Sequence, residues 1–204
     1  TAATPPALHA KLNLRDVDLK QAVSSEAGIN SIKGHFDADA SLAARGRSPA
    51  ELIAGLSGEA TLRGHDGTVS GIDLAAATEW LKVLDRPSDL FALIRSGLGG
   101  QTSFKELTGS FHAADGIVRS DDLRLAADGT AGQGTATLDL PRWTIASRLE
   151  FRLTGLPMAP PLRVQLEGPI DAPRERFDVN PLQHFLQQRQ HVDDQPVKSS
   201  APER

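Results

Sequence analysis

The side chains most able to do chemistry in this chain are its carboxylates. Asp37 and Asp39, Asp121 and Asp122, and Glu150, Glu167 and Asp171 stand close together or recur along it. Two carboxyls facing each other across a cleft can share the acid and base roles of a hydrolase. Here most of them fall in the polar phase of strand-like runs or in turns, where solvation is the ordinary role. A hydrolase therefore stands as the remote alternative. The histidines, His9, His35, His65, His112, His184 and His191, are isolated, and none has the i, i+4 spacing beside a Glu that builds a helical zinc site. Gly97-Leu98-Gly99-Gly100 is the nearest approach to a phosphate-binding loop. It lacks the Lys-Ser/Thr of a P-loop, and a strand rather than a helix is expected after it, so it reads as a helix exit. No Gly-x-Ser-x-Gly elbow occurs, and the absence of Cys excludes disulfides, thiolate metal ligands and a Cys nucleophile. No catalytic residue, cofactor or metal is assigned, and the chain is expected not to be an enzyme.

Composition narrows the partners. The net charge is -4, with Lys and Arg scattered singly, which leaves neither a basic stripe for nucleic acid nor a polybasic membrane patch. Aromatics are 4% of residues, with no Tyr, which argues against base-stacking platforms. No window approaches the ~20 apolar residues of a membrane-spanning helix.

Period-two alternation dominates the chain. Leu8, Ala10, Leu12 and Leu14 alternate with polar residues, as do Phe36, Ala38, Ala40 and Leu42. Leu149, Phe151 and Leu153 do the same, and so do Leu162, Val164 and Leu166. Each run puts apolar side chains on one strand face. Asp66-Gly67, Asp115-Gly116 and Asp128-Gly129 carry the residues that tolerate positive φ, so hairpins are predicted at 60–69, 109–118 and 123–138. Helices are predicted after Ser48-Pro49, after Asp73 (Leu74, Ala77, Leu81, Leu84) and after Ser88 (Leu90, Phe91, Leu93, Ile94). A further one is expected over Asp16–Ala27, and a short one opens at Asn180-Pro181.

The expected fold is α+β and mainly β. It is a curved antiparallel sheet, an open groove or half-barrel, with inserted helices packing on it. Residues 1–189 form a single domain with a helical insertion at about 48–100, and 190–204 form a disordered tail. The apolar stripes have two readings. In one, the sheet is packed on its own helices, as any such domain requires. In the other, the apolar face stays partly open as a groove for acyl chains or as a surface for a partner. Leu81, Leu84, Phe91 and Ile94 from the helices, with Phe104, Leu149, Phe151 and Leu153 from the strands, are the candidate lining residues.

The order of these motifs resembles the C-terminal region of AsmA-family proteins. The matching residues are Leu56-Ser57-Gly58, Asp66-Gly67 and Gly71-Ile72-Asp73-Leu74, then Thr102, Phe104 and Leu107. Gly109-Ser110-Phe111, Asp115 to Val118, and Gly168 with Pro173 follow in the expected order, so the resemblance spans about Leu8 to Phe185. It implies a periplasmic module, tethered to the inner membrane by an N-terminal helix absent from this chain. The implied roles are lipid handling or phospholipid transport and outer-membrane integrity, with phospholipid acyl chains and envelope proteins as partners. The alternative is a protein-interaction or assembly module for outer-membrane biogenesis. About ten strands at ~4.8 Å would give a sheet only about 50 Å wide, one end of a groove or a cap for it.

Overall fold

The computed structural model describes residues 6–18, 32–83 and 98–193. They form one nine-stranded antiparallel sheet in sequential order, β1 (Ala7–Asp18), β2 (Ile32–Arg45), β3 (Ser57–Ile72), β4 (Leu98–Ala114), β5 (Ile117–Ala127), β6 (Thr130–Asp139), β7 (Thr144–Leu153), β8 (Leu162–Pro169) and β9 (Arg174–Asp178). The sheet does not close, because β1 and β9 each pair on one side only. Its mainly β character and inserted helices agree with the expectation from sequence. At ~4.8 Å per strand it is about 40 Å wide.

Residues directly opposite in an antiparallel ladder share a face. The register aligns Leu12 with Ala40, Ala40 with Ala60 and Ala60 with Phe111, so the alternation in separate strands merges into one apolar face. The same alignment carries Leu125 through Gly132 to Phe151. Glycines on this face make room for rings. A Cβ on Gly64 would lie 2.5 Å from the Phe36 ring, and one on Gly67 2.3 Å from the Phe104 ring and 2.2 Å from the Lys33 carbonyl oxygen. Phe36 and Phe104 then meet edge to face, with centroids 6.4 Å apart.

Asp115-Gly116 and Asp128-Gly129 form the tight β4–β5 and β5–β6 turns as predicted, with Asp115 and both glycines at positive φ. Asp66-Gly67 does not turn the chain. β3 runs straight through it, and the extra residue is absorbed as a bulge opposite β2, with Asp66 at φ 49°. Further register shifts fall in β1 between Leu14 and Val17, in β4 at Lys105, and in β5 between Ser120 and Leu123. Each sends two consecutive side chains to the polar face and bends the strand. The pairs are Arg15 and Asp16, His65 and Asp66, Lys105 and Glu106, and Asp121 and Asp122.

Three helices are described. The first, α1 (Pro49–Ala54), is capped by the Ser48 hydroxyl, which accepts the Glu51 N–H at 3.2 Å, while Glu51 accepts the Arg47 N–H. The second, α2 (Leu74–Val83), is capped by Asp73, whose carboxylate accepts the Ala76 N–H at 2.8 Å. The third, α3 (Asn180–Asp193), is longer than expected and runs into the stretch read as tail. Two expectations are corrected. Residues 48–100 are not a continuous helical insertion, because β3 lies between α1 and α2 and is paired on both sides. Asp16–Asp18 continue β1 instead of opening a helix, since Val17 pairs with Phe36. The rest of that helix, the one after Ser88, and the tail beyond residue 193 lie outside the described residues.

α2 and α3 cover the β7–β8 end of the apolar face. Leu74 and Leu81 from α2 and Leu182 and Leu186 from α3 form one cluster with Phe151, Leu153, Leu162 and Val164. Arg189 locks the arrangement by donating from Nη1 to the Leu81 carbonyl at 3.2 Å.

This division predicts unequal mutational costs. Leu186 is 1% exposed, so Leu186→Ala should destabilise by about 2–5 kcal/mol in urea unfolding. Leu12 lies on the same face but is 48% exposed, and Leu12→Ala should cost no more than about 0.5 kcal/mol. Equal losses would contradict the assignment of a covered and an uncovered half. The β5 bulge makes a second prediction. The Ser110 N–H donates to the Asp122 carboxylate at 2.7 Å and, with the Ser120 hydroxyl, holds its pKa below the usual 3.8. A lowered folded-state pKa contributes stability that is present above the unfolded value and lost as pH falls through the folded one. Thermal unfolding from neutral pH to below 3.8 should therefore show the lead of the parent chain over Asp122→Asn shrinking with acidification.

Candidate functional site

The apolar face has a covered half and an uncovered half. On the covered half, Leu81, Phe151 and Leu153 are buried in the α2–α3 cluster, and Leu149 is half-buried against it. Phe104 is 3% exposed, under the Phe36 ring. Four of these candidate lining residues are thus core, and Leu149 lies at its margin. Leu84, Phe91 and Ile94, the other three, lie outside the described residues.

The uncovered part is a strip across β1, the middle of β2 and β3 and the ends of the central strands, while Phe36 and Ala44 on β2 are themselves buried. Leu8, Leu12 and Leu14 are 60%, 48% and 43% exposed. Beside them Ala38, Ala40 and Leu42 on β2 and Ala60 and Leu62 on β3 are half-buried. Phe111, Leu138 and Ile145 continue the surface in the same partly exposed state. The strip is apolar and carries no charged side chain between β1 and β3. Alternation announced these residues as strand positions. Their role as the open surface was hidden, because it depends on where the covering helices stop.

Two small features interrupt the apolar character. The Ser147 and Thr130 hydroxyls are buried on this face without a hydrogen-bond partner among the described residues. Thr102, by contrast, is satisfied, because its hydroxyl accepts the Leu74 N–H at 3.1 Å and so ties α2 to β4.

The opposite face is a charged ladder. Arg15 grips Asp39 with both oxygens at 2.9–3.0 Å, and Arg63 faces Glu106 at 3.5 Å. Lys105 meets Asp128 at 2.6 Å. Glu150 accepts Arg163 Nε at 2.7 Å and Gln133 at 3.5 Å. Such exposed pairs contribute little stability each. They do set protonation. Arg163 holds the Glu150 carboxyl below its usual range, and Arg142 does the same to Asp139. All of these shifts favour the ionised form, the direction opposite to the raised pKa of a general acid. His65 stacks on His35 at 5.5 Å and lies 3.6 Å from Asp16 and 3.2 Å from Asp66. Among the described residues no three His, Asp or Glu side chains converge as a metal site. Among the same residues no helix is long and apolar enough to cross a membrane.

What this arrangement offers chemically is a nonpolar surface beside a core. A hydrocarbon chain lying on it would meet leucine, alanine and phenylalanine side chains and leave no polar group unsatisfied. Comparison with curated proteins and with solved structures found no match. The family model for the AsmA family matches residues 2–123, which takes in β1 to β4 and the start of β5, the exposed leucines of β1 included. That match covers more than half of the chain, which therefore belongs to the AsmA family.

Proposed function

We propose that this chain is a non-catalytic lipid-handling module of the cell envelope, and that the uncovered half of the apolar sheet face is where acyl chains lie. The observation carrying this reading is the row of exposed leucines, Leu8, Leu12 and Leu14, continuous with half-buried Ala38, Ala40 and Leu42. Isolated exposed apolar residues are ordinary, whereas a contiguous apolar strip asks for an occupant. Membership in an envelope-associated family supports a lipid as that occupant. Each methylene moved from water onto such a surface is worth up to about 0.8 kcal/mol, so a few contacts along a chain suffice for binding. The strip lacks polar side chains, which suits many acyl chains rather than one headgroup.

The periplasm, with a tether to the inner membrane, is the location that goes with this reading, and phospholipid transport and outer-membrane integrity are the processes it would serve. The second reading, a protein-contact module for outer-membrane biogenesis, draws on exposed side chains away from the sheet face. Trp80 is 52% exposed on α2, and Val83 lies one turn further on, also exposed.

Native mass spectrometry of the purified chain, followed by lipid extraction, separates the two. Near-stoichiometric phospholipid is expected with the parent chain. Ala40→Glu puts a carboxylate in the middle of the strip, opposite Leu12 and Ala60, without removing any packed group. It should lower bound phospholipid at least tenfold while leaving the circular dichroism spectrum unchanged. Parent protein that is lipid-free and takes up no added phospholipid would sink the lipid reading.

A further inference from the structure

On the charged face, β7, β8 and β9 carry two neighbouring rows of opposite design. In one row Glu150, Arg163 and Asp178 stand opposite one another, and Arg163 lies 2.7 Å from Glu150 and 3.8 Å from Asp178. A cation is flanked there by two anions. In the next row Arg148 stands opposite Gln165, and Gln165 opposite Arg176, so an amide is flanked by two cations. Neither of these arginines forms an ion pair among the described residues. The nearby acids face other cations, since Glu150 and Asp178 lie against Arg163 and Glu167 stands opposite Arg174. Arg148 and Arg176 are exposed, with Gln165 half-buried between them. The chain scatters its arginines singly, and the register brings these two together. The core fixes that register from the other side of the sheet. Leu149 stands opposite Val164 and Val164 opposite Phe177, and all three belong to or pack on the buried cluster. A slip of one residue would turn them into water. Two like charges are therefore held on either side of Gln165 by packing.

We propose that Arg148, Gln165 and Arg176 form a binding site for a phosphate group. Directly opposite Cβ atoms stand ~4.5–5.5 Å apart, so the two arginine stems rise about 10 Å from each other across Gln165. Side chains of that length reach a group lying over Gln165 from both sides. Each guanidinium presents a planar fork of N–H donors, and the Gln165 amide supplies another N–H from below. A carboxylate has two oxygens and is satisfied by one fork. A phosphate group has further oxygens and a larger charge, so it fits two forks that approach from opposite sides. Its charge also offsets the repulsion between the two arginines. A phospholipid headgroup and a soluble phosphate compound both carry this group. The site lies on the face opposite the apolar strip, and it does not rest on the acyl-chain reading.

An NMR titration of the whole chain with inorganic phosphate tests this. Saturable shifts are expected at the Arg148 and Arg176 Nε–H signals and at the Gln165 side-chain amide, and they should weaken as sodium chloride is raised. The double variant Arg148→Gln, Arg176→Gln should weaken phosphate binding about tenfold or more, since it removes the charged donors. Its melting temperature should match that of the parent, because neither side chain holds an ion pair. Arg119→Gln removes another exposed arginine from the same face, opposite Thr137, and should leave phosphate binding unchanged. Flotation with vesicles of phosphatidylcholine, with and without phosphatidic acid, then identifies the source of the group. Flotation that needs phosphatidic acid and is lost in the double variant makes it a lipid headgroup. Any other flotation result, with phosphate binding intact, makes it a soluble phosphate compound. Ala40→Glu should leave the phosphate titration unchanged, so failure of the acyl-chain reading and failure of this site are told apart. Absence of saturable phosphate shifts overturns the proposal. Equal weakening by Arg119→Gln and by the double variant overturns it too, because diffuse charge would then account for the binding.

Discussion

The strict period of two in an antiparallel ladder is the constraint on which this structure rests. Because opposite residues share a face, nine strands with matched alternation cannot avoid making one continuous apolar surface. A single sheet has no second sheet to bury that surface against. Whatever covers it must come from the segments between and after the strands. In the described residues that cover comes from α2 and α3, with Leu74, Leu81, Leu182 and Leu186 seated on β7 and β8. Elsewhere on the face Phe36, Ala44, Phe104 and Ala113 are buried as well, and at Leu8, Leu12 and Leu14 the same surface meets water.

The bulges reconcile this alternation with a charged outer face. A strand with one extra residue would flip its apolar side chains outward beyond that point. At the bulges in β1, β3, β4 and β5 named above, the extra residue is spent on a pair of polar neighbours, so the parity is restored in step across adjacent strands. The bulges at His65-Asp66 and Lys105-Glu106 lie opposite each other on β3 and β4, so Phe104 and Gly67 still meet on the apolar side. The Asp122 carboxylate fastens the β5 bulge by accepting the Ser110 amide. Curvature and continuity of the apolar face therefore come from the same residues.

The functional reading follows from the incompleteness of the cover. A fully covered face would be a core and nothing more. An uncovered one would be prone to edge-to-edge or face-to-face association. This sheet has both conditions at once, a stable end and an open end, and belongs to the AsmA family, which places it among envelope-associated proteins. The charged ladder on the other face keeps that side solvated and leaves the apolar strip as the surface able to take a nonpolar occupant.

Much of this was legible in the residues alone, because alternation, capping and tight turns are local. The faces of Leu8–Leu14, Phe36–Leu42 and Leu149–Leu153 were readable from period two, the start of α1 from Ser48-Pro49, and the turns at Asp115-Gly116 and Asp128-Gly129 from their tolerance of positive φ. Asp66-Gly67 carries the same dipeptide yet lies inside a strand. Its glycine is required by the Phe104 ring and the Lys33 carbonyl, contacts from two other strands. The candidate lining residues Phe104, Phe151 and Leu153 were identified as apolar-face positions by the chain itself, but only the tertiary structure decided that they are core. For Phe151 and Leu153 that decision is made by α2 and α3, which Arg189 ties together by meeting a carbonyl 108 residues earlier in the chain. Alternation tells which way a side chain points. Whether anything lies there to meet it depends on distant segments, and so only the folded molecule determined which half of the apolar face is core and which is surface.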